Sequence, residues 1–413
     1  MSSIKAPRGT HDVLPEQTAL FHRVEETARA ILEAAGYRRI ETPVFESTEL
    51  FSRGVGESTD IVQKEMYTLT DQGERSITLR PEGTAPVCRA YLEHGMHKLP
   101  QPVKLWYLSS FFRQEKPQAG RQRQFWQIGA EAIGSDDPAV DAESILLLWR
   151  ILDSLGVREV RLRINSLGTA ASRAEYREAL QSFLREHESE LSAEVVARID
   201  LNPLRAFDSD HPGTRAVMER APLLKDFLTP EDSEHFAIVR GLLDVAEIPY
   251  EIDDTLVRGL DYYTRTIFEV TSDALGAQSG VGGGGRYDGL LEQLGGNATP
   301  AIGWASGIER ILLAAEPGRV TQPLLDLFIA WDEPRRSQAF ELLVQARAAS
   351  VSAQMELAGR SLKGQLKQAD RTGARHVAIL SEDGAVLKDM ESGEQQDIAA
   401  DAIVAAVLRG RRG

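Results

Sequence analysis

Apolar residues recur at helical spacing over residues 16–35, at Leu20, Val24, Ala28, Ile31 and Leu32, and Gly36 then stops the helix. A strand is predicted from Ile40 to Phe45. From Val103 to Phe112 and from Gln124 to Ile133, alternating or continuous apolar residues flank a polar loop with Pro117 and Gly120. That pattern predicts two antiparallel strands joined by a long hairpin, its loop held at both ends and free in the middle. Residues 136–156 read as a helix and Val160 to Ile164 as a strand. Between about 169 and 245, Ala, Glu, Arg and Leu recur at helical period, broken by Pro203, Pro212, Pro222 and Pro230, which reads as a mainly helical insertion. Strands resume at Tyr250 to Val257, Thr266 to Thr271 and Gly280 to Gly285, and Ile302 to Leu313 changes from strand into helix. Strands separated by such an insertion favour antiparallel pairing over repeated βαβ units, an α+β class.

Glu316 to Pro323 has the composition of a linker. Beyond it, Leu325 to Ala330 (strand), Gln338 to Ala349 (helix), Val351 to Met355 (strand), Ser361 to Thr372 (helix) and His376 to Leu380 (strand) alternate as a small α/β domain. The chain therefore divides into 1–323, carrying the insertion, and 324–413, in keeping with a length beyond the usual size of one core. The single cysteine, Cys88, lies in an apolar helical pattern and is expected to be a buried apolar residue. With no apolar run that could serve as a signal sequence or cross a bilayer, a cytoplasmic protein without a membrane partner is expected. The net charge of −15 argues by itself against a nucleic-acid partner, yet Arg113 to Arg123 carries four cations against Glu115 alone.

Candidate chemistry concentrates in Leu256-Val257-Arg258-Gly259-Leu260-Asp261-Tyr262-Tyr263, followed by Gly282-Gly283-Gly284-Gly285-Arg286-Tyr287-Asp288. Arginine neutralises phosphoryl oxygens, tyrosines orient a polar ring, and adjacent glycines let a flat ligand lie against main chain. Phosphoryl or nucleotidyl chemistry on a small polar substrate is the implication. His94 and His97 find no further ligands nearby in sequence, so no metal or catalytic histidine set is expected. Arg360, Lys363, Lys367 and Arg371 recur at helical spacing as a basic stripe that could face RNA phosphates.

Taken with Pro7 to Pro15, Gly36 to Val44, Thr78-Leu79-Arg80-Pro81-Glu82-Gly83-Thr84, Phe112-Arg113-Gln114-Glu115, Gln124 to Glu131, Ala301 to Arg310 and Gly359 to Lys363, these segments resemble class II aminoacyl-tRNA synthetases, specifically the histidyl-tRNA synthetase family. The resemblance is weakest between about 169 and 245. It implies a class II catalytic domain on an antiparallel sheet flanked by helices, an anticodon-binding domain at the C-terminal end, a homodimer, and L-histidine, ATP and tRNA(His) as partners. Mg²⁺ is expected with ATP, held mostly by phosphates, and no protein metal ligand is named. At Trp126, Gln122 and Trp304 the chain departs from the commonest family pattern, without loss of a charge needed for adenylation.

The reaction so implied brings an amino-acid carboxylate onto the α-phosphorus of ATP, and fixed cations must offset the repulsion. By resemblance Arg113 and Arg310 clamp ATP, and Arg258 is the additional arginine peculiar to the histidine enzymes, catalytic and histidine-binding. Glu115 would meet the adenine amino group, Phe125 the adenine face and Arg121 the triphosphate. Glu131 and Tyr263 would hold the imidazole, Glu82, Thr84 and Gln127 the α-amino group, and Tyr287 would close the pocket, with Tyr262 packing. Gln127 and Glu131, four apart on a strand, face one side. Gln118 and Arg123 are candidates for tRNA contact. The rival reading is a noncatalytic, histidine-binding regulatory subunit of ATP phosphoribosyltransferase, whose members typically lack the C-terminal domain and lose the catalytic arginines.

Overall fold

The computed structural model describes residues 4–56, 59–276, 279–316 and 325–410. The chain falls into two compact units, Met1–Gly318 and Arg319–Gly413. Apart from Glu316, the linker expected over Glu316 to Pro323, with the boundary drawn at 323/324, lies outside the described residues.

An eight-stranded sheet carries the first unit, in the order Arg38–Arg39, Val103–Phe112, Gln124–Ile133, Ala301–Gly307, Gly280–Arg286, Thr264–Ser272, Val160–Ser166, Glu251–Ile252. The six inner strands pair antiparallel, and the two short outer ones pair parallel. Side chains alternate between its faces, as the pleat requires. Trp106, Ile128, Ala130, Phe268, Val270, Ile302 and Trp304 form a core with the helices Pro15–Ala34, Pro138–Ser154 and Pro230–Val245. Leu105, Tyr107, Phe111, Ile267 and Ala301 enter a second core with the helix Thr84–Glu93 and the insertion. Removal of apolar surface on both faces makes this sheet the rigid platform for whatever lies between the second core and solvent.

Several elements differ from the sequence reading. Residues 40–44 are not a strand; pairing occurs at Arg38–Arg39 and resumes at Phe45–Ser47, in a separate three-stranded sheet with Ser76–Leu79 and Tyr67–Thr70. Pro43 has no N–H to give a ladder, and the buried Arg80 takes its neighbourhood instead, donating to the carbonyls of Thr42 (2.7 Å) and Ser110 (2.8 Å). The strand expected over Tyr250 to Val257 is only Glu251–Ile252, because Asp253 accepts from the Thr255 N–H (3.0 Å) and turns the chain. In the insertion, Pro203, Pro212 and Pro230 start helical segments rather than break them. Proline's missing N–H costs nothing in a first turn. The hairpin loop is also not free in its middle: Gln118 and Arg121 exchange backbone hydrogen bonds of 3.0 and 2.9 Å.

The second unit has a five-stranded sheet, ordered Ala353–Met355, Leu327–Trp331, His376–Ser381, Gly384–Asp389, Gln395–Asp397, with the first three strands parallel. Its core, including Leu327, Ile329, Leu342, Ala346, Ala378 and Val407, is its own. The helix Leu362–Arg371 carries Lys363, Lys367 and Arg371, whereas Arg360 precedes it and pairs with Glu356 (3.1 Å), so the basic stripe is shorter than expected. Cys88 is fully buried. No helix among the described residues is long and apolar enough to cross a membrane.

Candidate active site

The second face of the large sheet opens into a cavity of about 270 Å³. Five strands or strand ends and the loop after Asp253 converge on it. Of the residues expected at a ligand, Glu82, Thr84, Arg113, Glu115, Arg121, Phe125, Gln127, Arg258, Tyr263 and Arg310 all line it, although up to 228 positions separate them in sequence. Tyr107, Tyr262, Glu269 and Glu309 line it too, without having been singled out as ligand contacts. Their alternation within strands placed Tyr107 and Glu269 on this face, but only the pairing of distant strands aims them at one point.

On the cationic side, Arg113 Nε donates to the Pro81 carbonyl (2.9 Å), and its guanidinium carbon stands 5.4 Å from the centre of the Phe125 ring. Glu115 lies 3.6 Å from both Arg113 and Arg121. Arg310 donates to the Gly280 carbonyl, and burial, then the charge of Arg121, holds its guanidinium below the usual arginine range. Arg258 reaches Glu269 (3.3 Å) through one terminal nitrogen, while its buried Nε has no partner among the described residues. A Cβ at Gly283 would stand 2.5 Å from the Phe268 carbonyl oxygen and 3.2 Å from the Arg258 guanidinium carbon. Glycine there lets the guanidinium lie against the sheet. The rest of the glycine run serves strand packing as well: a Cβ at Gly284 would be 2.0 Å from the Gly303 oxygen.

At the other end, Glu82 caps the helix Thr84–Glu93, accepting from the N–H groups of Thr84 (2.7 Å) and Ala85 (3.0 Å). Burial pushes its carboxyl up, against the pull of those two bonds. Gln127 presents an Oε1 atom that is buried and unpartnered among the described residues. Burial also raises the Tyr263 phenol. Glu309, accepting from the Trp126 N–H (3.0 Å), is pushed up to about 7 by burial.

Glu131 and Tyr287 do not line the cavity, contrary to expectation. Glu131 shares the face of Gln127 but sits one layer deeper, fully buried, accepting from the hydroxyls of Thr84 (2.9 Å), Tyr107 (3.3 Å) and Tyr287 (2.6 Å). Its strand partner is Gly303, where a Cβ would be 1.6 Å from its oxygen. Burial, opposed by those hydroxyls, raises its carboxyl to about 8. Spacing along a strand gives the face but not the depth. Arg123 departs as well: its guanidinium donates to the carbonyls of Glu115 (3.3 Å) and Arg8 (3.5 Å), and its N–H to Gly9 (2.7 Å), so it fastens the N-terminal segment to the hairpin instead of facing outward. Gln118 is exposed on the loop.

Similarity to known proteins extends over nearly the whole chain. The sequence model of the family described as histidyl-tRNA synthetase matches residues 9–311. The histidine–tRNA ligase of Desulforamulus reducens is 47% identical over 407 residues, covering 96% of this chain and 97% of that protein. That of Halorhodospira halophila is 48% identical over 418 residues, covering 98% of each. Among solved structures, the apo histidyl-tRNA synthetase of S. aureus superposes with a TM-score of 0.82 at 39% identity, over 98% of this chain and 100% of that one. An antiparallel platform, a cavity where arginines from three distant segments meet, and identity of this extent place the chain in the histidyl-tRNA synthetase family.

Proposed function

We propose that the chain activates L-histidine with ATP to histidyl-adenylate, releases pyrophosphate, and transfers the histidyl group to the 3′-terminal ribose of tRNA(His). One observation carries the reading. A single cavity holds two buried polar atoms of opposite kind without partners among the described residues, the Arg258 Nε donor and the Gln127 Oε1 acceptor, and three more guanidiniums, of Arg113, Arg121 and Arg310, line it. An amino acid and a polyphosphate together supply the missing anion and ammonium, and a buried polar atom left unpaired is costly.

In the proposed step a carboxylate oxygen of histidine forms a bond to the α-phosphorus as the bond to the pyrophosphate oxygen breaks. Arg113 and Arg258 neutralise the charge spread over the phosphoryl oxygens, and Arg310 with Arg121 holds the departing end. Phe125 offers a flat face to adenine and Glu115 an acceptor to its amino group. Gln127 and the Glu82–Thr84 helix start receive the α-ammonium, and Tyr263 meets the imidazole. Glu131 acts behind them, fixing the Thr84 hydroxyl. Each acid lining the cavity is already engaged: Glu82 and Glu309 by backbone N–H groups, Glu115 and Glu269 by arginines. Mg²⁺ would therefore enter held by the phosphates of ATP and add charge neutralisation there.

The second unit is proposed to bind the anticodon and Gln118 to approach the acceptor end, in a cytoplasmic homodimer. A purely regulatory histidine-binding role would give no use to four guanidiniums gathered around two carboxylates, Glu115 and Glu269, in one cavity. Histidine-dependent exchange of labelled pyrophosphate into ATP tests the proposal. Exchange that requires histidine and no other amino acid is expected; a purified, folded protein that binds histidine without exchange would contradict it.

A further inference from the structure

We propose that the helical insertion is a clamp on the loop that carries Arg258, and that Arg173, Asn202 and Arg205 are positioning residues for adenylation; this rests on the function proposed above. Residues 253–263 form neither helix nor strand. Their backbone groups need partners from elsewhere; the insertion supplies two of these and holds one side chain of the loop as well. Arg205 donates to the Gly259 carbonyl (3.0 Å), immediately after Arg258. Asn202 donates to the Asp261 carboxylate (2.8 Å). Arg173, on the first helix of the insertion, Ala170–Glu186, donates to the Tyr263 carbonyl (2.8 Å).

Apolar packing follows the same path. Ala206 lies in one core cluster with Leu256, Tyr262 and Tyr263, and Leu204 and Phe207 pack against it. Arg205 is itself tied to Asp208 (2.9 Å), which keeps its guanidinium aimed at the loop. Beyond its bond to Glu269, the Arg258 guanidinium takes its position from this loop, so the insertion sets where the charge stands relative to a reacting phosphorus. The insertion then contributes to the first reaction, in which tRNA takes no part. Displacing a catalytic cation by about 1 Å can cost on the order of 100-fold in rate with little change in binding.

The test is steady-state pyrophosphate exchange by the full chain carrying Arg205→Ala, Asn202→Ala or Arg205→Lys, each also combined with Arg258→Ala, with thermal unfolding recorded in parallel. Arg205→Ala and Asn202→Ala should each lower kcat about 10-fold or more while KM for ATP stays within about threefold. Arg205→Lys, which keeps a donor for the Gly259 carbonyl, should recover most of the rate. In the Arg258→Ala background the same changes should add less than about twofold, since the group they position is gone. Rates within about twofold of the unaltered protein, losses confined to KM, or losses that multiply with that of Arg258→Ala would overturn the proposal. If Arg205→Ala fails to fold, Asn202→Ala carries the same test. Absence of histidine-dependent exchange in the unaltered protein would instead count against the functional reading.

Discussion

Glu131 takes hydroxyl hydrogen bonds from Thr84, Tyr107 and Tyr287 in a fully buried site, and burial holds its carboxyl at about 8 against an ordinary 4.5. The folded chain thus keeps a proton that the unfolded chain releases between those values. Stability from this group is fully present below the lower value and is lost as pH rises toward the upper one, at no more than about 1.4 kcal/mol per pH unit. Glu131→Gln should remove that slope. Urea unfolding from pH 5 to pH 8 compares the two; curves that stay parallel would show that Glu131 is ionised in the fold. The family resemblance assigned this residue to the imidazole, but its depth was not legible, because one-dimensional spacing does not reveal that Gly303 opposite leaves room for the carboxylate to sink into the sheet.

Between elements, a buried ion pair fastens the strand Gly280–Arg286 to two helices. Asp141 contacts Arg286 (2.8 Å) and His235 (2.8 Å), joining Pro138–Ser154 and Pro230–Val245 behind the sheet. Asp141→Ala leaves the fully buried Arg286 without this anion and should cost about 3–5 kcal/mol in urea unfolding, whereas a loss below about 1 kcal/mol would contradict the clamp. None of this was legible: Arg286 read as part of a motif facing a ligand, and it points to the helices. The hairpin Val103–Phe112 and Gln124–Ile133, by contrast, matched the sequence reading to the residue, because long apolar alternation bounded by Pro and Gly admits one interpretation. The strands Gly384–Asp389 and Gln395–Asp397 went unseen, since Leu387 alone among them is buried and neither segment alternates apolar with polar residues.

At the scale of the whole molecule, each residue assigned to adenylation lies in Met1–Gly318. That unit has its own cores, and so does Arg319–Gly413. A chain ending at Gly318 should therefore retain histidine-dependent exchange within about 10-fold of the full chain, while charging of tRNA falls further. Equal loss of both would mean that the second unit is needed to form the cavity. The central claim, that Arg113 and Arg258 meet at one reacting phosphorus while Arg310 holds the departing end, is tested most directly by single-turnover formation of histidyl-adenylate with Arg258→Ala. The predicted result is a rate constant lowered by about 100-fold or more, with histidine affinity changed less than about fivefold. Equal losses in rate and affinity, or an unchanged rate, would contradict it.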